Sequence, residues 1–154
     1  MKGFYEINKR LSDYFRTDPI INTVSSGGLD KIAQMKVDMY PIAHVIFNSA
    51  TIQGHMVTYN TSVVLMDLVE VSKEPFQVIY EGNDNEQDVI HQMQEVAFHF
   101  YDHLRRGVLH DTYDIITDED ATMGIEYFSD RFADKVAGVT LTIDIKMAVQ
   151  STIC

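Results

Sequence analysis

The sequence predicts an α/β protein of the α+β kind: a small, mostly antiparallel sheet with a long hairpin, flanked by an N-terminal helix and a second long helix. Three observations predict it. Apolar residues recur at spacings of three and four in two segments, they alternate almost strictly near the C-terminus, and a long β-branched run between the two segments is broken by a single Gln-Gly pair. With 154 residues, 45% hydrophobic and 23% charged, the chain is expected to fold as one domain over residues 1–154.

Residues 2–16 set Phe4, Ile7, Leu11, Tyr14 and Phe15 on one stripe, which predicts the first helix. Asp18-Pro19 ends it, because proline disfavours helical backbone in the residue before it. Residues 20–26 read as a short strand closed by Gly27-Gly28, and residues 42–52 and 55–71 as the two arms of a hairpin turning at Gln53-Gly54. In the second arm Val57, Tyr59, Thr61, Val63 and Leu65 share one face and Met56, Thr58, Asn60 and Ser62 the other. The alternation lapses over residues 63–68, where both faces are expected to be covered. Both arms exceed the usual strand of ~5–6 residues, so the tip either projects, carrying Ile52 and Met56 to a partner, or bends back over its own sheet.

Residues 83–106 predict the second helix. Asn83 and Glu86 fit a cap, Arg105-Arg106 occupy the last turn and Gly107 follows as a stop. Val89, Ile90, Met93, Val96, Ala97, Phe100 and Leu104 form its core stripe, and Phe98 falls outside it as a candidate contact for another chain. Residues 122–128 predict a strand, joined through residues 129–138 to a half-buried last strand over residues 139–149, in which Val139, Leu141, Ile143, Ile145, Met147 and Val149 alternate with polar or small residues.

Charge narrows the function classes. Twelve Lys and Arg against 23 Asp and Glu leave a formal charge of −11, the opposite of the basic footprint that grips nucleic acid. An acidic wall instead lets DNA slide past without sticking. No apolar run approaches the ~20 residues that span a bilayer, and none near Met1 has the make-up of a signal peptide. The single cysteine, Cys154, permits no internal disulfide, as expected of a reducing compartment.

The search for chemistry gives no catalytic, cofactor-binding or metal site. His99 and His103 stand four apart on the second helix, near Glu95 and Asp102, but lie opposite the core stripe with no further ligand cluster in the sequence, so a solvated or interface role is expected. Asp118-Glu119-Asp120 lacks the glycine and glutamate of a calcium loop, and Gly27-Gly28-Leu29-Asp30-Lys31 lacks phosphate-loop spacing. No nucleophile elbow occurs, and terminal Cys154 has no defined neighbour to activate it.

Four segments together resemble a family of tail-completion proteins, related to tail terminators, of tailed phages including crAss-like phages. They are Ile21-Asn22-Thr23-Val24-Ser25-Ser26-Gly27 with Asp30 and Lys31; Tyr40-Pro41-Ile42-Ala43-His44-Val45 with Asn48 and Ala50; Tyr59-Asn60-Thr61-Ser62-Val63-Val64-Leu65-Met66-Asp67; and Phe128-Ser129-Asp130-Arg131-Phe132-Ala133-Asp134-Lys135-Val136-Ala137-Gly138. The resemblance implies a terminator-like fold and a structural virion protein with no reaction and no cofactor, assembled in the host cytoplasm. It would form a homo-oligomeric ring, a hexamer or dodecamer, at the head-proximal end of the tail, between the tail tube and the neck or portal-side proteins. DNA would pass without specific binding, and no membrane is involved. The candidate interface residues are Thr51, Ile52, Gln53, Gly54, His55, Met56 and Phe98. The alternatives are a neck or head-tail adaptor ring, a small-molecule-binding sensor domain, and a metal-dependent hydrolase using His99 and His103.

Overall fold

The computed structural model of the chain describes residues 3–28, 39–70, 85–106, 115–116, 122–129 and 135–148. In chain order the elements are α1 (Phe4–Thr17), β1 (Thr23–Ser26), β2 (Ile42–Gln53), β3 (Met56–Leu68), α2 (Glu86–Arg106), β4 (Ile115–Ile116), β5 (Gly124–Ser129) and β6 (Val136–Ala148). The strands form one six-stranded sheet of order β1-β2-β3-β6-β4, with β5 also on the outer side of β6. Among the described strands only β1 and β2 run parallel; the other pairings are antiparallel.

The helices cover one face of the sheet. Ile7, Leu11 and Phe15 of α1 and Val89, Met93, Val96, Ala97, Phe100 and Leu104 of α2 are buried with Ala43, Val45, Val63, Leu65 and the inward row of β6, Val139 to Met147. Fully burying one such aliphatic side chain contributes about 1.5–3 kcal/mol, so this layer is the principal source of stability. Phe4 lies at the margin of its stripe, its ring 4.4 Å from that of Phe47. Ile90 is only partly buried, packed against the edge of the same cluster.

A smaller core occupies the opposite face. Tyr40, Ile42, Val64, Met66 and Val136 are buried there, with Ile46, Leu68 and Phe128 packed against them. This is why the alternation lapses after Ser62: Val63 and Leu65 point to the helices, and Val64 and Met66 to the second cluster. The two-sided burial expected of this segment is present.

Three expectations shift in detail. The hairpin turns at Gly54-His55, one residue later than Gln53-Gly54, with Gln53 opposite Met56 and Gly54 in the left-handed region at φ 60° that glycine tolerates. The proposed cap Asn83 lies outside the described residues, and Asn85 holds the start of α2. Its carbonyl accepts from the Val89 amide at 3.0 Å, while its side-chain oxygen accepts from the Glu70 amide at 2.7 Å and ties the helix to the end of β3. The first strand, Thr23–Ser26, is shorter than residues 20–26: Asn22 and Thr23 both donate to the carbonyl of Pro41, and the ladder with β2 starts only at Thr23 with Ile42.

The hairpin is not a free two-stranded arm. β6 accompanies β3 to its first residue, pairing Met56 with Ala148 and Val57 with Met147. One flank of the distal hairpin is therefore inside the sheet and only the β2 flank is open. The ladder of β2 on β3 slips by one residue between Phe47 and Ser49, so Asn48 is the extra residue of a bulge.

Candidate functional site

The surface that stands out is the distal half of β2 and its turn. Beyond Val45 no described strand pairs with the outer edge of β2, and Asn48 to His55 are all exposed, Ile52 to 72%. Thr51, Ile52, Gln53, Gly54 and His55 are thus at the surface; Met56 is half-buried because β6 lies beside it. Phe98, 44% exposed, belongs to a different place. Gln94, one turn before it on α2, accepts a hydrogen bond from the Tyr127 hydroxyl of β5, at the opposite edge of the sheet. The sequence-predicted interface residues therefore fall on two surfaces.

A feature that periodicity does not reveal bears on this surface. Residues 41–66 contain no Asp, Glu, Lys or Arg, in a chain in which 23% of residues carry charge. Half of that run is buried or paired on both sides, but residues 49–53 form an exposed edge strand. Such edges are ordinarily guarded by lysines, prolines or other charges.

On the face away from the helices, a polar ladder crosses three strands at the foot of this edge. Asn48 Nδ2 donates to Asn60 Oδ1 at 2.9 Å and to Ser62 Oγ at 2.7 Å, Asn60 Nδ2 donates to Asp144 Oδ1 at 2.9 Å, and Ser62 Oγ and Thr142 Oγ1 lie 2.9 Å apart. The bulge residue is thereby fastened to β3, and β3 to β6. These groups satisfy one another, which makes the ladder a device for holding strand register.

A second polar node fastens β1 to β2. His44 is fully buried; its Nε2–H donates to the carbonyls of Gly27 and Gly28, each at 3.1 Å, which leaves Nδ1 to accept from the Ser25 hydroxyl at 2.7 Å. A serine on a histidine is the geometry of an activated nucleophile. Here both ring nitrogens are engaged in a fully buried position, so the pair acts as a clamp on the turn after β1. Gly27 and Gly28 form that turn, while Leu29, Asp30 and Lys31 lie outside the described residues.

The histidines of α2 part company. His103 is half-buried and faces α1, its ring 5.3 Å from that of Tyr14, whereas His99 is exposed. His103 is thus part of the helix seam, which corrects the expectation that both are solvated or at an interface with another chain. Among the described residues no group of three or more His, Cys, Asp or Glu is placed to hold a metal ion, and no helix is long and apolar enough to cross a membrane. Asp118-Glu119-Asp120 and Cys154 lie outside the described residues.

The first three segments that carry the phage-family resemblance occupy adjacent strands β1, β2 and β3, and the fourth leads into β6 beside them. No protein-family model matches this chain, and no curated protein matches its sequence.

Proposed function

We propose that this chain is a structural virion protein that assembles into a homo-oligomeric ring at the head-proximal end of a phage tail, completing the tube. It performs no reaction and holds no cofactor. The observation that carries the reading is the exposed, uncharged outer half of β2 on a chain of net charge −11. Acidic copies repel one another unless they meet through a surface that is free of charge, and this chain displays one. The remaining acidity suits a lumen through which DNA moves without adhering. The α+β fold with a long hairpin, and the adjacency of the segments that resemble tail-completion proteins, agree with it.

Negative-stain imaging of the purified protein, alone and mixed with tail tubes, tests the reading. Closed rings or capped tube ends are expected. The double variant Ile52→Ser, Met56→Ser should lose tube capping and ring formation while keeping its secondary structure. A wild type that stays monomeric in the presence of tubes and leaves their ends bare would overturn it.

A further inference from the structure

We infer that copies of this chain join edge to edge, residues 49–53 of β2 in one copy adding as an antiparallel strand to the outer edge of β5 in the next. The inference rests on the ring reading and identifies the joint by which the ring would close.

The two outermost edges among the described strands lie at opposite ends of one sheet. Among the described residues nothing pairs with the outer side of residues 49–53, and no strand lies beyond β5. Their directions are compatible. β2 is antiparallel to β3, β3 to β6 and β6 to β5, so β2 and β5 run oppositely within one chain. A neighbour related by rotation about an axis lying roughly along the strands keeps its strand directions, and brings its β2 antiparallel against β5, the pairing of slightly greater stability. A joint between two different edges is heterologous, and it generates a ring when the rotation closes.

The side chains agree with the directions. After the bulge, Ala50 pairs with Tyr59 and Ile52 with Val57, which puts both on the helix-covered face. On β5, Ile125 pairs with Leu141 and Tyr127 with Val139, which places them on that same face. Rotation preserves the face, so with Thr51 opposite Glu126, Ile52 of one copy arrives opposite Ile125 and diagonal to Tyr127 of the next, on the side of the sheet where Gln94 of α2 meets Tyr127. Ile52 and Tyr127 are both among the large apolar side chains left exposed, Tyr127 to 59%. The neighbour is a second copy of this chain because the β2 edge carries no charge of either sign to select an acidic or basic stranger, and because one sheet supplies both halves of the joint.

Two single-cysteine proteins test it, each with Cys154→Ser: Thr51→Cys and Glu126→Cys, both at exposed positions on the outer strands. Each is oxidised alone and then as an equal mixture, with circular dichroism verifying the fold. A disulfide-linked dimer is expected in the mixture and is expected to be absent from either variant alone. A linked dimer from Thr51→Cys alone would mean that β2 pairs with β2 about a two-fold axis, and would overturn the inference. Rings seen by negative stain without any cross-link would overturn it too while leaving the ring reading intact. Cross-linking in the mixture with open filaments in place of rings would uphold the joint and sink the ring. Monomers with no cross-link at any concentration, with tail tubes present and their ends left bare, would end both.

Discussion

Gly138 is the residue at which the sheet tolerates nothing larger. It lies opposite Met66 on one side and Phe128 on the other, and a Cβ built on it would fall 1.9 Å from the carbonyl oxygen of Leu65 and 2.8 Å from the Met66 Cα. Both obstacles are backbone, so Gly138→Ala must push β3 and β6 apart at the centre of the sheet. A loss of ~1–3 kcal/mol or more is expected, read from the denaturation midpoint, and an unchanged midpoint would mean that the strands are less closely apposed. Asp67 carries a different strain. Burial, with Glu70 nearby, raises its pKa above 3.8 against the opposing hydrogen bond from the Leu68 amide. A carboxyl whose pKa is raised by folding favours the folded state below the unfolded pKa, and this contribution is lost as pH rises through the folded value. Asp67→Asn keeps the acceptor for Leu68 and removes the charge, so its urea midpoint should exceed that of the wild type at pH 7, and the difference should vanish below pH 3.8.

At the scale of elements, α1 and α2 meet through an aromatic seam. The Phe15 and Phe100 rings lie 5.0 Å apart, with Tyr14 5.6 Å from Phe100 and 5.3 Å from His103. Burial in this seam, with Asp18 adding to it, pushes the Tyr14 hydroxyl up to about 12 from 10.0. The neutral phenol is the form the fold favours, so its contribution is complete below pH 10 and is lost as pH rises through about 12. Tyr14→Phe should remove that part of the alkaline destabilisation; an alkaline unfolding curve identical to wild type would show that the ionisation of Tyr14 is not what drives it. Helices and the last strand were legible in the sequence because each buries a periodic stripe against a broad partner, as Val89 to Leu104 and Val139 to Met147 do. The turn at Gly54-His55 and the start of α2 were read slightly off. One glycine serves equally well in either frame of a two-residue loop, and two asparagines, Asn83 and Asn85, compete for one cap. Of the candidate site, strand length made the long hairpin legible but left the tip, Thr51 to His55, to either project or bend back over the sheet. Its one-sided openness was not legible, since nothing in residues 136–148 announces that β6 runs the whole length of β3. His44 gave no signal either, because a polar residue between Ala43 and Val45 does not disclose that its partners are Ser25 and two carbonyls.

For the whole molecule the governing quantity is charge. Under the proposed ring reading, each copy brings −11 into close company with its neighbours, and the joint itself carries only Glu126 of β5 against the uncharged edge of β2. Repulsion between the acidic remainders is long-ranged at low salt and screened within about 10 Å at ~0.1 M. Self-association should therefore strengthen as salt is raised from about 0.05 to about 0.5 M, the reverse of what a protein held to a polyanion does. Sedimentation velocity across that range reads it directly, and association that weakens with salt would mean that opposite charges make the joint.

The Asn48 bulge is best understood as a problem of parity. The core dictates which residues of β2 face the helices at Val45 and Phe47, the glycine turn dictates it again at Ile52, and counting inward from the two ends leaves one residue over. Asn48 is that remainder, and its amide is stitched to Asn60 and Ser62 so that the irregularity stays in one place. Deleting it would set Ser49 next to Phe47 with every other pair, from Ile42 with Met66 to Gln53 with Met56, unchanged. Deletion and Asn48→Ala both remove its two side-chain bonds, each worth about 0.5–1.5 kcal/mol, but only the alanine variant keeps the extra residue in the ladder. The deletion is accordingly expected to be no more destabilising than Asn48→Ala, against the usual order of such changes, and comparison of the two midpoints decides it. That order would mean that a change of length is gentler here than a change of identity, and that the open edge can be straightened by one residue without disturbing the core beneath it.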